Sequence, residues 1–247
     1  VYGFLGPNGA GKSTTMNIIT VCLAAPEGEV TIDGHDIFEE PLEAKKRIGY
    51  LPEIPPLYTD MTPTEYLRFI ARARGFSGAE ARKQMNAAME RARITEVKDR
   101  LIRNLSKGYR QRVGIAQALI GNPEVIVLDE PTAGLDPRQI IEIRELIREL
   151  GKNHTVILSS HILSEVSAIC DEILILSGGR LVADDTPENL TALFAEQNGI
   201  HLTVKGALAD VLSALNGLEG VEIADSREED GRARLTLRAQ DADDVCE

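Results

Sequence analysis

Short apolar runs alternate with stretches of helical spacing along most of this chain. The runs predict strands at Val1–Leu5, Glu29–Asp33, Ile48–Leu51, Val125–Leu128, Thr155–Leu158, Ile173–Leu176 and Arg180–Ala183. Apolar residues three and four positions apart predict helices at Lys12–Leu23, Thr62–Arg93 (with a break at Gly75–Gly78), Pro137–Leu150 and Ile162–Ile169. Strands that alternate with helices indicate a mainly parallel α/β sheet, with Thr62–Arg112 as an all-helical insert.

The end of the chain repeats a smaller pattern. From about Glu196, the sequence predicts a strand, a helix and two strands at Leu202–Val204, Ala207–Leu215, Val221–Ala224 and Arg234–Leu237. We therefore expect one domain at residues 1–195 and a small accessory α/β domain at 196–247. The chain begins at Val1 rather than Met, and it ends at Cys246–Glu247 within a predicted helix start. For that reason we expect the first domain to be truncated at its N-terminus and the second to be partial.

Charge and aromatic content argue against a nucleic-acid partner. The 247 residues carry a net charge of −12, and five Tyr, five Phe and no Trp leave little surface for stacking bases. The charge is uneven, because residues 61–112 contain 13 basic and 5 acidic residues, whereas residues 196–247 contain 5 basic and 12 acidic ones. The basic insert is either a solvated amphipathic face or a surface held near an anionic membrane or a partner.

A glycine-rich turn follows the first predicted strand. It matches the pattern G-x-x-x-x-G-K-[ST] with Gly6, Pro7, Asn8, Gly9, Ala10, Gly11, Lys12 and Ser13. The glycines allow backbone N–H groups to surround a phosphate chain, and the next helix adds partial positive charge at its N-terminus. Lys12 would contact the β- and γ-phosphates, and the Ser13 hydroxyl would ligate Mg²⁺. The alternative is a glycine-rich turn that only precedes a capped helix, but the flanking strand and helix favour a phosphate-binding loop.

Two acidic residues follow the apolar strand Val125–Leu128. A carboxylate at the end of a buried strand can hold Mg²⁺ through water, and we assign this role to Asp129. Glu130 is then placed to orient or deprotonate an attacking water. Many strands end in acidic residues, so the pair alone is weak evidence for a metal site. The glycine-rich loop upstream is what favours this interpretation.

A second candidate helix start lies between these two motifs. Leu105-Ser106-Lys107-Gly108-Tyr109 precedes a helix, with Ser106 as a good N-cap and Gly108 allowing a close backbone approach. Taken alone, this segment would be one more capped helix.

These segments together resemble the ATP-binding subunit of ABC transporters. The glycine-rich loop, Leu105–Gln111 as the signature, Asp129–Glu130, Gly134–Pro137 as the D-loop and Ser159–His161 occur in that family's order. The resemblance covers residues 1 to about 195. The sequences of these motifs are most similar to those of the exporter branch, which includes bacterial multidrug and gliding-motility ATPases. It implies a P-loop NTPase fold, with a RecA-like parallel-sheet core and an α-helical insert.

The resemblance also implies a mechanism. Two copies dimerise head to tail, so that ATP on the loop of one copy, including Thr14, is covered by Ser106, Lys107 and Gly108 of the other. Asp136 bridges the two halves, and His161 senses or polarises the γ-phosphate. The implied cofactors are ATP and Mg²⁺. The implied partners are a second copy and integral membrane permease subunits, with the ATPase peripheral on the cytoplasmic face and the basic insert facing the permease.

Two departures from the family's pattern matter, one at Glu53 and one in the signature, where the family's LSGGQ has become Leu105-Ser106-Lys107-Gly108-Tyr109. Glu53 stands where the family usually has Gln; it could still ligate Mg²⁺, but it lacks the amide donor. Lys107 replaces a glycine and would either bring a cation near the phosphates or face solvent. The aromatic residue that stacks on adenine lies upstream of the glycine-rich loop in this family. Two alternatives remain, namely an ABC-type ATPase acting on nucleic acid or the ribosome, and a non-hydrolysing ATP switch.

Overall fold

A computed structural model describes residues 1–25, 27–191, 200–215, 221–229 and 231–239. The chain divides into two compact units, Val1–Pro187 and Glu188–Glu247. Pro26, the expected domain boundary at residues 195 and 196, and the predicted helix start at Cys246 lie outside the described residues.

The first unit is built on a six-stranded sheet with the order β4-β5-β6-β1-β7-β8. Its strands are β1 (Tyr2–Leu5), β4 (Ile48–Leu51), β5 (Val125–Leu128), β6 (Thr155–Ser160), β7 (Glu172–Ser177) and β8 (Arg180–Asp185). The first five strands in this order are parallel, and β8 pairs antiparallel with β7. The mainly parallel sheet and the terminal hairpin are therefore as predicted.

The parallel order brings three chain segments to one edge of the sheet. Leu5 at the end of β1 pairs with Ser160 at the end of β6, and Leu128 at the end of β5 pairs with Leu158 of β6. Because the carboxyl ends of parallel strands share an edge, the segments that follow β1, β5 and β6 lie side by side.

The described residues of the first unit form seven α-helices. They are α1 (Lys12–Ile19), α2 (Pro41–Lys46), α3 (Pro63–Ala73), α4 (Gly78–Arg91), α5 (Lys107–Leu119), α6 (Pro137–Gly151) and α7 (Leu163–Ser167). Of these, α3 and α4 pack on each other and on α5. Short 3₁₀ helices lie at Thr95–Val97 and Ile102–Asn104, and residues 187–191 are also helical. Within the residues that the structure describes, no helix combines the length and the apolar composition needed to cross a membrane.

The helical insert begins with a capping box on α3. The Thr62 side chain accepts a hydrogen bond from the Glu65 backbone N–H, while the Glu65 carboxylate accepts one from the Thr62 backbone N–H. The break between α3 and α4 falls at Gly75, whose φ of 89° suits glycine. The predicted insert of two helices followed by a Ser106-capped helix is thus found in the structure.

Two local predictions near the start of the chain were wrong. Helix α1 ends at Ile19 rather than Leu23, because Val21 has a φ of 59° and the N–H groups of Cys22 and Leu23 both bond to Asn17 O. The single strand predicted at Glu29–Asp33 is instead a short hairpin of β2 (Thr31–Ile32) and β3 (His35–Asp36). Its turn residues Asp33 and Gly34 both have positive φ, which is the Asp-Gly preference of a type I′ turn.

In the described part of the second unit, a three-stranded antiparallel sheet carries a helix after its first strand. The strand order is β10-β11-β9, and the elements are β9 (Ile200–Lys205), α8 (Leu208–Leu215), β10 (Val221–Glu229) and β11 (Arg232–Ala239). Its small core consists of Ala233, Leu235 and Leu237 from β11, with apolar residues of α8 packed against them. All four predicted elements are present, and both last strands are longer than predicted.

Candidate active site

The glycine-rich loop joins β1 to α1 and forms one wall of a cleft. Gly9 and Gly11 have φ values of 81° and 106°, in the left-handed region that glycine adopts most easily. A Cβ on Gly6 would collide with the Leu176 carbonyl oxygen on β7. The cleft has a volume of about 270 Å³ and is lined by Asn8, Gly9, Ala10, Gly11, Lys12, Ser13, Thr14, Glu53, Glu130, Ala133 and His161. Backbone N–H groups of the first turn of α1 have no partner within the helix, so the wall suits an anion.

Lys12 is the first residue of α1 and is only 6% exposed. Its Nζ donates to Gly6 O at 2.6 Å and to Pro7 O at 3.3 Å, and it lies 3.7 Å from Glu130 Oε1. Gly6 and Pro7 therefore take part through their carbonyl groups, which hold the ammonium group at the loop.

Glu130 lies between two basic side chains. Besides the Lys12 contact, His161 Nδ1 is 3.1 Å from Glu130 Oε2 and 3.2 Å from Oε1. The Glu130 side chain is 12% exposed and that of His161 is 48% exposed, and both residues line the cleft. A carboxylate held in this way, next to a phosphate-sized cleft, can accept a proton from a water molecule.

Asp129 is buried behind Glu130. Its Oδ1 accepts a hydrogen bond of 2.6 Å from Ser159 Oγ, and the same oxygen of Ser159 accepts one of 2.8 Å from the Glu130 backbone N–H. Glu130 itself has a φ of 45°, which is unusual for a residue with a long side chain. The sequence predicted both carboxylates, but it gave no sign of the Ser159 hydroxyl that joins them.

The donor atoms at this edge fit Mg²⁺ better than a softer metal. Ser13, Asp129 and Glu53 offer oxygen atoms only, and the described residues contain no group of three or more His, Cys, Asp and Glu side chains that could hold a metal alone. Mg²⁺ is usually held by one or two carboxylates together with substrate phosphates and water, which is the type of site these residues could complete.

The signature residues line a second cleft, of about 330 Å³. Its lining residues are Ser106, Gly108, Tyr109, Arg112, Asp136, Arg138, Gln139, Glu142 and Ile143. Ser106 caps α5 by accepting from the Tyr109 N–H, and Asp136 caps α6 by accepting from the Gln139 N–H at 2.9 Å. The fold thus brings Ser106, Gly108 and Asp136 together, in a cleft that shares no lining residue with the first.

Comparison with known proteins decides the family. A family model described as "ABC transporter" matches residues 1–133, which is more than half of the chain. The chain belongs to the ABC transporter family. The linearmycin resistance ATP-binding protein LnrL of Bacillus subtilis is 36% identical over 221 residues, covering 89% of this chain and 71% of that protein. The daunorubicin/doxorubicin resistance ATP-binding protein DrrA of Streptomyces peucetius is 35% identical, covering 77% and 58%.

A solved structure extends the comparison to the fold. The ATP-binding cassette MJ0796, in a dimeric post-hydrolysis state bound to ADP and Pi, matches with a TM-score of 0.66 and 28% identity. The match covers 75% of this chain and 84% of that one. As an ABC ATPase, this protein binds and hydrolyses ATP on a P-loop NTPase fold, as the sequence predicted. ATPase subunits of this family dimerise and pair with membrane components.

Further polar contacts in this ABC ATPase lie beyond the predicted motifs. The Glu165 carboxylate on α7 accepts a hydrogen bond from Thr132 Oγ1 at 2.6 Å and from Ser160 Oγ at 3.3 Å. It therefore links the segment after Glu130 to the strand end before His161. Sequence spacing gave no signal for the Thr132 contact, because Thr132 and Glu165 are 33 residues apart, whereas Ser160 is only five residues before Glu165.

The two departures from the family's pattern have distinct surroundings. Glu53 is exposed and lines the first cleft. Lys107 is exposed on the first turn of α5, and its Nζ packs against Gly134 of the D-loop. Tyr109, at the end of the signature, donates its hydroxyl hydrogen to Glu96, and this hydrogen bond raises the pKa of the tyrosine.

Proposed function

We propose that Glu130 is the general base for ATP hydrolysis and that His161 polarises the γ-phosphate in the same cleft. The single observation that carries this proposal is the placement of the Glu130 carboxylate between Lys12 Nζ at 3.7 Å and His161 Nδ1 at 3.1 Å, on a cleft lined by the glycine-rich loop. Attack by water on a phosphate needs a proton acceptor near the water and positive charge near the phosphate. This arrangement supplies both.

The glycine-rich loop binds the triphosphate in this proposal. Its backbone N–H groups and the N-terminus of α1 offset the phosphate charge, and Lys12 contacts the β- and γ-phosphates. The contributing residues are Gly6, Pro7, Asn8, Gly9, Ala10, Gly11, Lys12, Ser13 and Thr14.

Mg²⁺ would be held by Ser13 and, through water, by Asp129, with Glu53 of the cleft lining as a further oxygen donor. When bound, the ion would neutralise charge on the phosphates. The Ser159 hydroxyl supports this assignment, because it keeps one oxygen of Asp129 oriented in a buried position.

The second cleft acts in trans in this proposal. Ser106, Lys107 and Gly108 of one copy cover the ATP on the loop of the other, in a head-to-tail homodimer, and Asp136 communicates across the interface. Ser106 is exposed at a helix N-terminus, in a cleft separate from the glycine-rich loop. This placement supports binding of Ser106 to a phosphate held by the partner copy. A triphosphate carries several negative charges, so two helix N-termini stabilise it better than one.

We further propose that the dimer powers an exporter whose permease is a separate membrane subunit, at the cytoplasmic face of the membrane. The resistance functions in the names of LnrL and DrrA support export. The first unit also has an open, mainly apolar groove of about 700 Å³, whose lining includes Leu42, Tyr50 and Phe76. This groove supports the proposal that the permease docks here. Leu42 is 74% exposed, and the basic insert carries one side of this groove.

The test is turnover by purified Glu130→Gln protein. The amide cannot accept the proton, so we expect kcat to fall by roughly 100-fold or more while ATP binding persists. Glu39→Gln is the matched control, since Glu39 is an exposed glutamate that does not line the cleft. Phosphate release measures the rate, and calorimetric titration measures ATP binding. A parental rate in Glu130→Gln would refute the role of Glu130.

A further inference from the structure

Ser159 is a fully buried serine that contacts both acidic residues after β5. It is 0% exposed, and its Oγ donates to Asp129 Oδ1 at 2.6 Å and accepts from the Glu130 N–H at 2.8 Å. A hydroxyl has one hydrogen to donate, so its only donor capacity is used on Asp129. One oxygen atom thus fixes the orientation of one carboxylate and the backbone of the next residue.

The Glu130 backbone needs this partner. Its φ of 45° is in the left-handed region, which is unfavourable for a residue with a Cβ unless surrounding contacts hold it there. This conformation turns the Glu130 N–H toward β6, where Ser159 accepts it, and presents the carboxylate to Lys12 and His161. Without an acceptor at residue 159, the amide would lose its hydrogen bond in a partly buried location.

The position of Ser159 on β6 adds a link to His161. Strand β6 ends at Ser160, and His161 follows directly, so the residue that holds Asp129 and Glu130 is part of the strand that carries the histidine. Not every buried serine hydroxyl in this protein forms such hydrogen bonds. Ser167 Oγ on α7 is also buried, and it has no hydrogen-bond partner.

We propose that Ser159 is a positioning residue for ATP hydrolysis, which holds the Asp129 carboxylate and the Glu130 backbone in one fixed relation through a single hydroxyl. The inference rests on the roles proposed above for Asp129 and Glu130. Residues that orient a metal-binding carboxylate typically change activity or metal affinity by about 10–100-fold when they are replaced.

The experiment compares Ser159→Ala, Ser167→Ala and Glu130→Gln in the same protein. Ser167→Ala is the matched control, because it removes an equally small buried hydroxyl that bonds to nothing. We expect Ser159→Ala to lower kcat by about 10–100-fold with little change in KM for ATP.

A second readout is independent of turnover. Calorimetric titration measures the affinity for a slowly hydrolysed ATP analogue, once with Mg²⁺ present and once with a chelator. We expect the gain in affinity from Mg²⁺ to shrink in Ser159→Ala and to persist in Ser167→Ala.

The outcomes separate the inference from the proposed function. Parental kcat and an unchanged Mg²⁺ effect in Ser159→Ala, with Glu130→Gln inactive, would overturn the role of Ser159 alone. Equal losses of kcat and of melting temperature in Ser159→Ala and Ser167→Ala would also overturn it, because they would reflect packing. A parental rate in Glu130→Gln would overturn the proposed function, and with it the basis for this inference.

Discussion

Replacement of Lys12 by methionine tests how the cleft binds phosphate. Methionine keeps an unbranched side chain of similar length, so the packing at the start of α1 is largely retained, while the charge and all three N–H donors are lost. In the structure, two of these donors bond to Gly6 O and Pro7 O, at 2.6 and 3.3 Å. The third N–H, together with the charge, is left for a phosphate oxygen.

The expected magnitude follows from that single remaining donor. One hydrogen bond to a charged group contributes about 1.5–3 kcal/mol, and each 1.4 kcal/mol changes an equilibrium constant tenfold. The dissociation constant of Lys12→Met for an ATP analogue should therefore rise by roughly 10- to 150-fold. Because a phosphate-contacting cation is lost, binding should also become less sensitive to salt.

Calorimetric titration at two salt concentrations measures both effects. Lys83→Met on the exposed face of α4 is the matched control and should bind as the parental protein does. If Lys12→Met bound the analogue within about threefold of the parental protein, with the same salt dependence, the phosphate contact assigned to Lys12 would be wrong.

Two further predictions concern buried groups. Burial raises the pKa of Tyr66 to about 12, so between pH 10 and 12 the folded protein keeps a proton that the unfolded chain releases, and the free energy of unfolding falls as pH rises. Urea unfolding should show a smaller fall in Tyr66→Phe; an equal fall would contradict this. Burial also raises the pKa of the Cys170 thiol to about 12, whereas Cys22 is exposed. Peptide mapping after alkylation near neutral pH should therefore find Cys22 modified and Cys170 protected until urea is added, and equal labelling would argue against the buried thiol.

The parts of the site that the sequence predicted are contiguous motifs. The glycine-rich loop and Asp129–Glu130 each follow a short apolar strand, and parallel pairing brings the ends of such strands to one edge. The capping of α5 by Ser106 was also predicted, because a cap depends only on residues within one turn. Local chemistry and the rules of parallel sheets were enough for these features.

The parts that the sequence missed depend on contacts between distant residues or on very short elements. Ser159 reaches Asp129 across 30 residues, and although the sequence placed it in the motif Ser159–His161, nothing in the local pattern indicated that its hydroxyl would contact Asp129. Helix α2 has six residues, too few for a periodic pattern to stand out. The end of α1 is set by the backbone conformation of Val21, although the apolar spacing continues to Leu23.

The most direct test of the shared ATP site is complementation between two inactive variants. Lys12→Met disables the loop, and Ser106→Asp places a negative charge at the signature while aspartate still caps α5. In a head-to-tail dimer, a mixed pair has one site in which both halves are intact. At an ATP concentration that saturates the parental protein but not Lys12→Met, an equimolar mixture should, after subunit exchange, recover about a quarter of the parental rate of phosphate release, while each variant alone shows little activity. A mixture no more active than the two variants measured separately would contradict an ATP site shared between two copies.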